Sequence, residues 1–344
     1  MQYFNFDDLK TRIKKILITL KFSNIDADFL ATHLVTSNLL GHHSHGVIRL
    51  PTYAQRIAKG IIDPQAKITE SNISPTIAIV NGNKALGILA SDVAADLAVR
   101  KAQTAGIAAI GLYNIAHTGR LGAFVEKIAQ SNMIGMYFCN GHTKIKVQAP
   151  FGGKEAKLSA NPLAYAAPRK EKPYIVLDMS TTAVAHGKVL NAVNRQELVA
   201  PDCLLDKNGN PTQDPQAYLQ GGAMLPFGGK QAHKGFGIAI LVEILSGILS
   251  QAKMHSTHFD QDSNGGFMVA FNIGHFLPLE LYYEQIETLH DNLKSATPRE
   301  GFDQITLPGE RSHEIAQHQL KNGIEIDDKT WQDIEALEQN LPKR

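Results

Sequence analysis

The spacing of apolar and polar positions changes along the chain, and the change divides it. Leu9, Ile13, Ile16, Leu17 and Leu20 recur at helical spacing among Asp7, Asp8, Lys10, Arg12, Lys14 and Lys15, which predicts an amphipathic first helix. Ser23 with Asp26 three positions on predicts the capped start of a second helix carrying Phe29, Leu30 and Leu34, and Gly41 is placed to end it. A third helix is expected from Gly46 or Val47, with Pro51 in an early turn, to Gly60 ahead of Asp63-Pro64. If its first turn includes both His45 and Arg49, those side chains, four apart, share a face.

From residue 76 short β-type runs alternate with helices: a strand at 76–80, a helix at 88–104, a strand at 107–112, a helix at 120–131 and strands at 133–139, 163–167 and 174–177. Residues 192–227 read as loop, rich in Pro and Gly, before Gly235 opens an apolar helix to about 249. A strand at 267–271 and a long helix at 280–292 follow. The pattern is that of an α/β (α+β mixed) chain in three regions: a helical one at 1–75, a sheet-bearing one at 76–275, and a helical one at 276–344. A length of 344 residues agrees with more than one core.

Charge and cysteine usage narrow the partners. Lys plus Arg number 34 against 33 Asp plus Glu, and no block of like charge appears that would track a phosphate backbone or an anionic lipid surface. Neither nucleic acid nor a membrane is therefore an expected partner, and no apolar run is read as approaching the roughly 20 residues a bilayer requires. Cys139 and Cys203 stand far apart, outside any C-x-x-C pair, which speaks against a disulfide framework or a cysteine zinc site. With a first helix unlike a signal peptide, the expected location is cytoplasmic.

The densest chemistry lies in Gly-His-His-Ser-His-Gly-Val-Ile-Arg at 41–49, with three imidazoles, a hydroxyl and a guanidinium in nine residues. Histidine titrates near neutrality, and arginine presents a planar fork that matches a carboxylate. The run admits three readings: a metal cluster, a catalytic site, or a histidine-rich helix cap. Adjacent helical residues point apart, so His42 and His43 cannot easily share one metal with His45, and Arg49 would oppose a bound cation. Both facts favour catalysis.

His117, in Asn-Ile-Ala-His-Thr-Gly-Arg at 114–120, follows an apolar strand at a corner where α/β sheets place ligands; a plain surface-loop histidine is the alternative. Arg120 at a helix start runs against the macrodipole, so it pairs with an acid or faces a phosphate. Asp178 ends a strand before Ser180, Thr181 and Thr182, as a helix cap or a phosphate site. His233 and Lys234, ahead of a helix from Gly235, make an anion site or a solvated loop. Glu243 within an apolar stretch needs a cation or an interface. No G-x-G-x-x-G lies between strand and helix: Gly235-Phe236-Gly237 has Ile240 at the third glycine position. Walker A and H-E-x-x-H sequences are also missing, so phosphoryl transfer and zincin hydrolysis have no support.

Taken together, these segments resemble the malate/L-lactate dehydrogenase family of NAD(P)-dependent oxidoreductases, which is distinct from Rossmann-type enzymes of similar name. The resemblance spans nearly the whole chain: Gly-His-His-Ser-His-Gly-Val-Ile-Arg-Leu-Pro at 41–51, His-Thr-Gly-Arg-Leu-Gly at 117–122, Asn161-Pro162, Asp-Met-Ser-Thr-Thr at 178–182, Ala-His-Gly-Lys at 185–188, His-Lys-Gly at 233–235 and Leu-Pro-Gly-Glu at 307–310. It implies a homodimer, with active sites near the subunit interface. It also implies a non-Rossmann cofactor domain on a mixed, largely antiparallel sheet.

Carried over by position, His45 is the proton donor or acceptor, Ser44 its relay, Arg49 the carboxylate clamp, and His117 lies close to the reacting centre. Gly119, Arg120, Leu121, Val176, Leu177, Asp178, Met179, Ser180, His233, Lys234, Gly309 and Glu310 contact the cofactor, NAD(P)H, and no metal is implied. Two positions depart from the pattern: His43 stands where many members have Asp, and Ser159-Ala160 where many have Gly-Thr. The expected reaction is hydride transfer between a nicotinamide and a small 2-oxo or 2-hydroxy acid. Reduction of a cyclic ketimine carboxylate, or a non-catalytic metal- or ligand-binding role, are the alternatives. A His45 at a helix N-terminus would have its pKa lowered by the macrodipole.

Overall fold

The structure is a computed structural model that describes residues 1–141, 146–252 and 263–341; the last three positions of the C-terminal region lie outside it. Strand β1 (Gln2–Phe4) leads into α1 (Phe6–Thr19), where the Asn5 side chain accepts from Asp7 N at 2.8 Å and Leu9, Ile13, Ile16 and Leu17 are buried. Helix α2 (Asn24–Leu39) starts as the sequence predicts: Asp26 N donates to Ser23 Oγ at 3.1 Å, and the hydroxyl donates back to the Asp26 carboxylate at 2.6 Å. Gly41, at φ 79°, ends it in a conformation that a side chain disfavours.

The next segment differs from expectation. Instead of one helix from 46 or 47, two short 3-10 turns, His43–His45 and Val47–Arg49, precede α3 (Leu50–Ala58). Gly46 between them is extended, at φ −91° and ψ −150°. A Cβ at Gly46 would fall 1.8 Å from Asn38 Oδ1, and that oxygen accepts from Val47 N at 2.8 Å. The buried Asn38 of α2 thus fixes the break, and His45 and Arg49 belong to different turns.

A seven-stranded sheet forms the centre, built of β2 (Thr69–Asn72), β3 (Ile77–Asn81), β4 (Ile107–Ile115), β5 (Met133–Cys139), β6 (Leu163–Ala167), β7 (Ile175–Met179) and β11 (Asn264–Asn272). Its order is β2-β3-β4-β11-β5-β6-β7, and only β3 and β4 pair in parallel. The mixed, largely antiparallel sheet is as expected. Helix α4 (Gly87–Ala105) makes the crossover between β3 and β4, and with α5 (Gly122–Ala129) covers the sheet over a core of Ala94, Ala98, Ile110, Leu112, Phe124 and Ile128.

Residues 192–227, read as loop, hold regular structure too short for a periodic signal. They include the end of α6 (His186–Arg195), then β8 (Leu204–Leu205), β9 (Pro211–Thr212), α7 (Pro215–Leu219) and β10 (Ala223–Met224), with the three strands in one small sheet. Helix α8 (Ala232–Val242) begins earlier than predicted and passes into a π-helical stretch, Glu243–Leu249, against β4, β5 and β11. By length and composition alone the helical run Gly229–Leu249 could cross a membrane, which corrects the sequence reading that no such run exists.

Glu243 is buried and, among the described residues, meets two carboxamides: Asn140 Nδ2 donates at 3.1 Å and Asn161 Nδ2 at 2.9 Å. After α9 (Leu279–Lys294), α10 (Glu310–Asn322), β12 (Ile324–Ile326) and α11 (Asp328–Asn340), the chain returns to its start. There β12 pairs with β1, and Gln319 donates to the carbonyls of Asn38 and Leu39.

Candidate active site

The two 3-10 turns, the start of α3, the corner after β4 and the start of α6 converge. Ser44 Oγ lies 2.9 Å from His45 Nδ1, leaving the other ring nitrogen of His45 without a partner among the described residues. Arg49, the residue preceding α3, donates through Nε to Ser44 O at 2.5 Å, which orients the guanidinium and leaves its terminal nitrogens for a ligand. The ring of His117 stacks on that of His45, with centroids 5.4 Å apart and 25° between planes. Both Tyr53 OH, at 2.7 Å, and Gly119 N, at 3.2 Å, meet His117 Nδ1.

Helix α6 closes the group: a Cβ at Gly187 would lie 3.1 Å from Ser44 Cβ, and its neighbour His186 bonds Tyr218 OH at 2.9 Å. No side chain caps this helix start. Among the described residues, no three His, Cys, Asp or Glu side chains are placed to share a metal. Sequence reasoning missed Tyr53, Asn38 and His186. The first was hidden as an ordinary apolar position of α3, while Ala-His-Gly-Lys at 185–188 did signal the last.

Burial and neighbouring cations favour the neutral form of His33, His42, His45 and His117. Burial, then the positive charge of Arg49, pushes His45 down to about 3. The direction matches the sequence expectation, but the cause does not, since His45 closes a 3-10 turn and does not open a helix. Burial likewise pushes His33 down to about 3 and His42 to about 4, and holds His117 well below the usual histidine value.

His33 Nε2 accepts from Arg120 N at 3.1 Å, so protonation there breaks a bond inside the core. Each of these groups binds protons less readily folded than unfolded, so stability is full above the unfolded value near 6.5 and falls as pH drops toward 4. The melting temperature should therefore decline steeply between pH 6.5 and pH 4.5. A flat profile over that range would show that these histidines are not buried neutral.

The expected cofactor residues divide. Arg120 is buried and pairs with Glu126, Nη2 to Oε2 at 2.9 Å, so an acid does meet it; its Nε has no partner among the described residues. Asp178 lies within β7 rather than at a helix start, and caps α5 from outside by accepting from Gly122 N at 2.7 Å. Gly119, Arg120, Leu121 and the run Val176, Leu177, Asp178, Met179 and Ser180 are thus brought together.

Gly309 and Glu310 join them through Val176 N donating to Pro308 O at 3.0 Å, while Glu310 pairs with Lys294 at 2.9 Å. His233 and Lys234 lie inside the first turn of α8, not ahead of it, and are exposed; Phe227 N, near that turn, donates to Thr181 O. The helix start at Gly229 lacks a side-chain cap and carries the exposed Lys230 and Lys234 one turn apart. Open N–H groups beside two cations fit the diphosphate of a dinucleotide.

A family model described as malate/L-lactate dehydrogenase matches residues 4–335. The malate/(S)-sulfolactate dehydrogenase of Methanothermus fervidus is 32% identical over 341 residues, 97% of each chain. The ureidoglycolate dehydrogenase (NAD(+)) of Escherichia coli O157:H7 is 33% identical over 88% of this chain and 86% of its own. Among solved structures, the δ1-piperideine-2-carboxylate reductase of Pseudomonas syringae pv. tomato superposes with a TM-score of 0.83 at 26% identity, over 98% of this chain and 100% of its own.

Proposed function

Because the chain belongs to the malate/L-lactate dehydrogenase family and is a nicotinamide-dependent oxidoreductase, we propose that it interconverts a small 2-oxo acid and its 2-hydroxy acid at the Ser44, His45, Arg49 and His117 cluster. The observation that carries this reading is a carboxylate clamp and a proton-exchanging imidazole fixed to one another through Ser44. Arg49 holds the substrate carboxylate by its terminal nitrogens. When bound, the reduced nicotinamide supplies the hydride that C2 of the oxo acid takes up. His45 gives a proton to the C2 oxygen and regains one from solvent, and Ser44 can turn its hydroxyl from donor to acceptor as the ring changes state.

An anionic substrate also neutralises Arg49, the second cause of the low proton affinity of His45, so binding favours the protonated donor. The exposed turn at Lys230 and Lys234, with His233, and the backbone around Gly119, Leu121, Ser180 and Gly309, would hold NADH or NADPH.

Reduction of a cyclic ketimine carboxylate is the second reading, favoured by the likeness to the piperideine-2-carboxylate reductase. The same clamp and proton donor serve a C=N bond. Assaying pyruvate, oxaloacetate, phenylpyruvate, 2-oxoglutarate and a cyclic ketimine with each reduced cofactor tests both. Consumption with an oxo acid is expected, consumption with the ketimine alone moves the assignment, and consumption with none ends it.

The reading includes a cytoplasmic homodimer. Ile240, Leu241, Ile244, Ile248 and Leu249 are all exposed on the run 240–249, an apolar surface suited to a second copy. Light scattering at micromolar concentration should give twice the chain mass of 37.6 kDa, and Leu241→Glu should weaken association by about 100-fold or more. A monomeric wild-type protein would remove the proposal.

A further inference from the structure

Tyr53 stands on α3 one turn beyond Arg49 and is 1% exposed, outside the Ser44, His45 and Arg49 linkage. Its hydroxyl shares His117 Nδ1 with the N–H of Gly119. A backbone N–H can only donate, so Nδ1 carries a lone pair, and the one ring proton of neutral His117 lies on Nε2. The Tyr53 hydroxyl, whose ionisation burial opposes, is then a second donor on the same nitrogen. At His45 the matching nitrogen meets the hydroxyl of Ser44, which can either donate or accept.

The stacked rings therefore differ in kind. A proton can enter or leave His45 with only a hydroxyl turning in response, whereas a proton on His117 Nδ1 would face two donors. The other groups around His117 act the same way: Arg49 just ahead of α3, Arg56 of α3, His45 and the α2 residue His33 all disfavour a positive ring.

We propose that Tyr53 is a positioning residue which, with the Gly119 N–H, locks His117 as a neutral Nε2–H donor to the substrate oxygen, so that proton exchange passes through His45 alone. This rests on the oxidoreductase reading for its substrate, but not for its first test. Nitrogen-15 NMR of the ligand-free protein with labelled histidine should show His117 Nδ1 unprotonated and unchanged from pH 8 to pH 5.5. A ring that titrates near pH 6.5, or carries its proton on Nδ1, overturns the proposal whatever the enzyme reduces.

Tyr53→Phe removes one donor and should admit the Nδ1–H tautomer. Turnover in 2-oxo acid reduction should fall on the order of 10-fold, with KM within about twofold. A variant that melts like the wild type and keeps both the tautomer and the turnover would show that Tyr53 only fills space. Failure of the substrate panel with the predicted NMR result would instead overturn the assigned reaction and leave the locked ring standing.

Discussion

His45→Ala lowers turnover in 2-oxo acid reduction by on the order of 100-fold or more while leaving NAD(P)H binding intact. The expectation follows from what the ring is bound to and what surrounds it. Ser44 Oγ fixes one nitrogen at 2.9 Å, so the other is the group that can meet a substrate oxygen. Burial and Arg49 hold the ring neutral in the free protein, down to about 3, so above pH 4 the protonated donor is a minority that grows about tenfold for each unit the pH falls.

For the wild type, kcat/KM for reduction should thus rise from pH 8 to pH 5.5, whereas oxidation of the hydroxy acid, which uses the neutral ring as base, should lose nothing on approach to pH 8. His45→Ala should lose the reductive slope together with the rate. Full turnover in this variant, measured at the nicotinamide absorbance band, would assign the proton to another group.

Arg49→Ala should lower kcat/KM for 2-oxo acids by about 100-fold, mostly through KM. A carboxylate fork lost from a partly buried site removes two charge-assisted hydrogen bonds, of about 1.5–3 kcal/mol each before compensation by water. Arg49→Lys should recover only part of this, because an ammonium cannot reproduce the fork or the Nε bond to Ser44 O. The pH profile adds an independent reading: without the positive charge, His45 gains proton affinity, so the reductive profile should shift to higher pH as KM worsens. An unchanged KM for every carboxylate substrate would place the clamp elsewhere.

Local patterns and long-range contacts were unequally legible in the sequence. Ser23 with Asp26, Gly41, and the strand over Met133–Cys139 could be read because their signals lie within a few residues of the structure they specify. The break at Gly46 could not, because its cause is the Asn38 side chain eight positions earlier and a Gln319 amide that holds the backbone there from α10.

The same limit applies at the site. Arg120 presented two partners to sequence reasoning, and its closure on Glu126, six positions on, shows only in the fold. Asp178 looked like a cap for the residues after it, and instead caps α5, 56 positions before it, because β7 carries it there. Glu243 called for a cation or an interface on charge grounds; that Asn140, just after β5, and Asn161, just before β6, would deliver two carboxamides depends on how those strand ends meet the π-helical turn. The histidine run itself was conspicuous, but its division of labour depends on Tyr53, an aromatic residue that by pattern belongs to the core.

The most direct test of the account is the fate of the transferred hydrogen. With a reduced nicotinamide carrying deuterium at both positions of C4, and the oxo acid that turns over best, mass spectrometry should find one deuterium at C2 of the 2-hydroxy acid, and the amount of that labelled product from His45→Ala over the same interval should be lower by on the order of 100-fold or more. Product formed by the wild-type protein without deuterium at C2, or an equal yield of labelled product from the variant, would contradict it.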